Sequence, residues 1–281
     1  MSDVMAVVAQ DSRSVRRMAF DRDDERAFLG GSALLFVVSA AVTIVWCGSM
    51  STMGGDMPMP GGWTMSMAWM RMPGQTWLDA AATFLGMWIV MMMAMMMPSL
   101  VPMLRRYRRA VVGTGASGLG RLTAIVALGY FVVWTVFGIA AYPLGVGLAA
   151  VEMQQPAFAR AVPIAVGLVV VLAGVHQLGA WKARHLACCR EMPGPGHTLR
   201  ADAATAWRHG LRLGLHCAQC CAGLMAILLV VGVMDLGAMA VVAVALTVER
   251  VAPAGERVAR GIGIVAIGAG VFLIARASGI A

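Results

Sequence analysis

Seven runs of mostly apolar residues, each close to the length that crosses a bilayer, govern what this chain can fold into. They occupy residues 27–46, 77–104, 122–151, 161–181, 213–233, 236–252 and 258–275. A hydrocarbon core about 30 Å thick needs roughly 20 apolar residues of helix, since a helix satisfies its own backbone hydrogen bonds in lipid. The predicted fold is therefore all-α, a polytopic transmembrane bundle of about seven spans. Composition agrees, with 60% of residues hydrophobic and 13% charged, against the roughly 25% charge of soluble domains. We read a polar N-terminal tail over residues 1–26, then one transmembrane domain over 27–281, because the gaps are too short for a second core. The tail lacks the apolar stretch and small-residue site of a signal peptide, so no cleavage is expected.

The formal net charge of +8 does not point to nucleic acid, for no reading motif accompanies it. The basic residues cluster at the ends of apolar runs, where they act as topology signals. With the N-terminus in the cytoplasm, nineteen of the 22 Lys and Arg fall on the cytoplasmic side, leaving Arg71, Arg160 and Arg276 outside. That predicts a cytoplasmic N-terminus, an external C-terminus and basic loops lying on anionic lipid. The weakest boundary separates the fifth and sixth runs, which only Met234 and Asp235 join.

Sixteen of the 24 methionines lie between Met50 and Met103. Eight sit in a Gly/Pro-rich external loop, 48–76, where an apolar side chain has no evident packing partner. Thioether sulfur is a soft neutral ligand suited to Cu(I), and it survives an oxidising compartment. The pairs Met57/Met59, Met65/Met67 and Met67/Met70 place two sulfurs within reach of one ion. A membrane-hugging loop, given Trp63 and Trp69, or simple low complexity is the plain alternative. In the second run Met87, Met91 and Met95 recur every four residues, flanked by Met92 and Met96. They form a helix stripe that could pass a soft ion inward, or serve as ordinary gap-filling residues. Pro98 and Pro102 follow and either bend the helix or end it.

Cys47 stands apart from the other five cysteines, which fall on the predicted cytoplasmic side, where reducing conditions disfavour disulfides. His216, Cys217, Cys220 and Cys221 open the fifth run at the i, i+3 and i+4 spacings that bring helical side chains together. Two thiolates suffice for Cu(I). A structural zinc needs four ligands, to which His185, Cys188 and Cys189 from a cytoplasmic Cys/His loop over 182–212 could contribute. Small cysteines that merely pack between helices are the plain alternative. His176, inside the fourth run, is a candidate ligand or proton acceptor, or a histidine bonded to a neighbouring helix. His197 and His209 receive no role. Glu249 and Asp235, at span ends, read as solvated charges.

Trp88, the run 92–96, Pro98-Ser99 and Pro102-Met103 form one motif, joined by Tyr130 and Trp134 and by Gln177, Leu178, Lys182, Leu186, Cys189 and Arg190. Gly214-Leu215, Cys217, Cys220-Cys221, Leu224-Met225, Gly232, Met234, Met239 and Glu249 complete it. With these the chain, from Trp77 to its last span, resembles a bacterial family of predicted metal-binding integral membrane proteins whose function is undefined. The chain departs from it at His185, where the family usually carries a cysteine, and in the methionine-rich external loop. The resemblance implies a metal-binding role in the bacterial inner (plasma) membrane.

The leading expectation is Cu(I) acquisition, transport or delivery, with the ion passing from external thioethers through the α-helical stripe to internal thiolates. A copper chaperone or a membrane copper enzyme is the expected kind of protein partner. A membrane thiol redox protein and a scaffold subunit of a membrane copper enzyme remain alternatives. No nucleotide-binding loop is present, so a primary pump is not expected.

Overall fold

The computed structural model describes residues 2–52, 56–72, 74–112, 118–191 and 199–279, with side chains from residue 23 onward except at 50–52, 56, 67, 112 and 191. Met53 and His197 lie outside the described residues, as does the side chain of Met67. The element order is α1 (Ser2–Thr52), β1 (Asp56–Met59), β2 (Trp63–Ser66), a short 3-10 turn (Met67–Trp69), α2 (Trp77–Val112), α3 (Leu119–Gln154), α4 (Pro156–Leu178), α5 (Ala180–Glu191), α6 (Ala203–Val231), α7 (Leu236–Val251) and α8 (Gly255–Ala277). The all-α bundle is as expected. Six helices, α1, α2, α3, α4, α6 and α8, are long and apolar enough to cross a membrane. The remaining predicted span is α7, whose 16 residues extend about 24 Å.

Several boundaries differ from the sequence reading. Residue 26 marks no break, because α1 runs through it. The prolines at 98 and 102 do not end α2, which continues ten residues past the second. The segment 182–212 is helical over most of its described residues: α5 fills its first part, and α6 starts at Ala203 behind a cap in which Asp202 accepts from the Thr205 N–H at 2.8 Å. Those bonds hold the Asp202 carboxyl below its ordinary range. Polar, arginine-rich sequence hid α5 and the first ten residues of α6. The stability of these stretches comes from packing.

Contacts at helix ends sort the bundle into two sides. On one, Arg105 and Arg108 of α2 pair with Glu25 and Asp24 of α1 at 2.6 and 2.5 Å, and His209 of α6 stacks on Tyr107 of α2. On the other, Cys47 of α1 meets Met234 in the α6–α7 turn, and the β1–β2 hairpin docks through Trp63 Nε1, which donates to the Ala159 carbonyl at 2.8 Å. The α7 helix joins the sides, beginning at the Met234 turn and ending near Pro253, whose carbonyl accepts from Arg190 of α5 at 3.1 Å.

Close approach between helices relies on glycine, as expected where small residues let backbones meet. A Cβ on Gly174 of α4 would lie 2.7 Å from the Gly263 carbonyl of α8. One on Gly210 of α6 would overlap the Val126 carbonyl of α3, a backbone atom that cannot swing aside. Gly210→Val should therefore cost about 2–3 kcal/mol. The check is the thermal midpoint of the purified chain in detergent, and an unchanged midpoint would refute this packing.

Candidate metal centre

The thiols occupy the middle of α6, not its beginning, because that helix starts ten residues before the apolar run does. From Val231 back to Cys217 is about 21 Å along α6, and from Asp235 to Arg250 about 22 Å along α7. The return limb thus ends level with the cysteines.

Cys217, Cys220 and Cys221 are fully buried. The sulfurs of Cys217 and Cys221 are 3.7 Å apart, those of Cys220 and Cys221 3.8 Å, and Cys189 of α5 brings a fourth to 3.9 Å from Cys220. For comparison, three thiolates around one ion at a metal–sulfur distance of about 2.3 Å lie about 4.0 Å apart. All six cysteines are free. The Tyr130 hydroxyl of α3 is 2.8 Å from Cys217 Sγ. Hydrogen bonding to Cys220, with burial behind it, pushes the Cys189 thiol well above its ordinary range.

Arg250 closes the cluster. Its Nη2 donates to Cys217, Cys220 and Cys221 at 3.0, 3.2 and 2.6 Å, while Nη1 donates to Ser99 Oγ of α2 at 2.8 Å. The Ser99 contact fixes which face of α2 looks at the thiols. Met96, Met95 and Met92 stand three, four and seven residues before Ser99, so they share that face. Met87, Met91, Met92, Met95 and Met96 are buried in the same apolar cluster as the thiols. They line the interior of the bundle.

A second polar group anchors the centre from below. Lys182 Nζ of α5 donates to Glu249 Oε2 at 2.7 Å and to the Cys220 carbonyl at 2.5 Å, and Gln177 Nε2 of α4 donates to Glu249 Oε1 at 2.6 Å. The expectation of a solvated Glu249 is thus corrected. Its side chain and that of Lys182 are each 1% exposed, because α7 carries Glu249 into the bundle where α5 supplies its partner.

The histidines gather elsewhere. Nδ1 of His216 is 3.5 Å from Nδ1 of His185, whose ring packs on Trp181 at 4.3 Å, and Trp181 in turn meets His176 at 5.1 Å. Both ring nitrogens of His176 are buried without a hydrogen-bond partner among the described residues. Cys188 is half-buried, next to Cys189. Among the described residues no three or more His, Cys, Asp or Glu side chains form a group able to hold a metal ion. What the centre offers is sulfur pairs, with a guanidinium between them.

The methionines of the β1–β2 hairpin also find partners, contrary to the reading that nothing packs on them. Met57 pairs with Met65 across the hairpin and Met59 with Trp63, all on one face. Met59 and Met65 are buried there against Ala149 and Ala159, with Met57 at the edge. Cys47, read as solitary, lies with its Sγ 3.9 Å from Met234 Sδ.

A model of the PpoB2 family, described as a copper chaperone, matches residues 85–273. The chain belongs to this family. Membership in the PpoB2 copper chaperones makes its function copper-related and a metal ion its partner, in line with the expected copper. The matched stretch holds the α2 methionines, the four clustered thiols, Lys182, Glu249 and Arg250, and it begins after the hairpin and Cys47. No curated relative and no solved structure matches the chain.

Arg250 and Ser99 were absent from the expected site. Arg250 closes an apolar run, which reads as a solvated topology charge, and only the length of α7 returns it to the sulfurs. An arginine adjacent to Glu249, within a run already suspected of crossing, was the available signal.

Proposed function

We propose that the chain is an integral membrane copper chaperone that holds Cu(I) between a pair of the buried thiolates of Cys217, Cys220 and Cys221 and passes it to an acceptor protein. The observation that carries this reading is the gathering of four cysteine sulfurs in the interior of a member of a copper chaperone family. Cu(I) is soft and is satisfied by two thiolates, whereas structural zinc takes four ligands in a tetrahedron. The methionines from Met87 to Met96 form a thioether approach to the thiolates, so affinity rises along the path. Cys189, then Cys188 at the half-buried surface, offers an exit.

Six long apolar helices support membrane placement, and α7, running between the two sides of the bundle, supports a further pass. Seven passes with the N-terminus in the cytoplasm put the Met57–Met65 hairpin outside and the Asp24/Arg108 side inside. The hairpin is then the collecting end and the thiols the receiving end.

Copper X-ray absorption tests the ligand set. The full-length chain, purified in detergent and loaded with Cu(I) without oxygen, is expected to show a first shell of sulfur alone. A shell dominated by imidazole nitrogen would move the site to His176, His185 and His216 and overturn this assignment.

A further inference from the structure

Arg250 has no structural debt to settle at its position. Among the described residues it has no carboxylate partner, because Glu249 is taken by Lys182 and Gln177. Its neighbours are Ser99 and three thiols, and its Nε has no partner among the described residues. Guanidinium stays protonated in any protein environment, so a fixed positive charge stands against the sulfurs. Lys182 and Glu249 cancel one another. Among the described residues, only the sulfurs stand close enough to Arg250 to balance its charge.

We infer that Arg250 is the specificity element of this centre, selecting a monovalent soft ion over a divalent one. The inference rests on the proposal that these thiols hold Cu(I). When Cu(I) binds two of them, each thiol gives up its proton to solvent, two metal–sulfur bonds form, and the bis-thiolate complex carries one negative charge. Arg250 neutralises it, leaving a buried assembly of zero net charge, which is the cheapest to keep from water. Zn(II) on the same two thiolates is itself neutral, so Arg250 becomes an unpaired buried cation. Zinc relieves this by recruiting further anionic ligands to complete a tetrahedron. The described residues hold no group of three or more His, Cys, Asp or Glu that could do so. The guanidinium also occupies the point where the three α6 sulfurs converge, which blocks three-thiolate capture of a dication and leaves pairs of sulfurs for a two-coordinate ion.

The test is paired competition titration of the full-length chain in detergent, without oxygen, using one chelator for Cu(I) and another for Zn(II). The wild-type chain should prefer Cu(I), and Arg250→Met should narrow that preference by about 100-fold, the scale of losing one partner from a buried charge pair. Arg250→Lys keeps the charge and should stay within a few-fold of wild type. Should Arg250→Met fail to fold, Ser99→Asp supplies a carboxylate beside Nη1, cancels the cation in place, and should narrow the preference similarly. If the neutralised variants keep the wild-type preference while still binding Cu(I) through sulfur, the charge filter is wrong and the thiol site stands. A wild-type chain that binds no Cu(I) overturns both.

Discussion

Glu249→Ala is expected to destabilise the bundle by about 3–5 kcal/mol, the cost of stranding a buried charge by removing its partner. Lys182 would lose its carboxylate and keep only the Cys220 carbonyl, and Gln177 would lose its acceptor. This group ties four helices together, so the loss reaches α4, α5, α6 and α7 at once. Replacing both charges, Lys182→Met with Glu249→Met, should recover most of the stability, because two apolar side chains of similar length leave no buried charge unpaired. Chemical denaturation of the detergent-solubilised chain measures both. A single variant within about 1 kcal/mol of wild type would mean that water reaches the pair and that it does not anchor the centre.

The long helices were legible because each is a run of apolar residues of bilayer length, and nothing in the surrounding structure opposes that signal. Cys217, Cys220 and Cys221 were legible for a similar reason, since i, i+3 and i+4 spacing converts directly into proximity on one helix. The environment of the thiols was not. Cys189 reaches Cys220 across 31 residues and Arg250 reaches Cys221 across 29, through α5, which local composition renders poorly, and α7, whose apolar run was legible but not the partner at its end. In α5 the sequence Lys182 to Arg190 is polar by residue type, yet Lys182, Leu186 and Cys189 are buried along one face. Only the tertiary partners Glu249 and Cys220 make burial of that lysine tolerable. The hairpin shows the opposite error. Glycine, proline and polar neighbours suggested methionines in open solvent, while alternation in β1 and β2 turns Met57, Met59 and Met65 to one face, against the α3–α4 corner.

The second large effect concerns the cargo. Thiolate sulfurs are the strongest soft donors in the interior, and the nearby methionine thioethers are neutral and weaker. Removing three thiols, Cys217→Ser, Cys220→Ser and Cys221→Ser together, leaves Cys189 with no cysteine neighbour within the cluster. Serine is nearly isosteric, and its hydroxyl still accepts from Arg250, so the bundle should hold its shape. Copper binding should not survive.

Anaerobic Cu(I) titration of the wild-type and triple-serine chains, against a chelator of known affinity, is the most direct measurement. About one Cu(I) should bind the wild-type chain tightly, and the triple-serine chain should lose at least about 1,000-fold in affinity, some 4 kcal/mol. Equal affinity in two well-folded proteins would place the copper elsewhere and contradict a thiolate centre in the interior of the bundle.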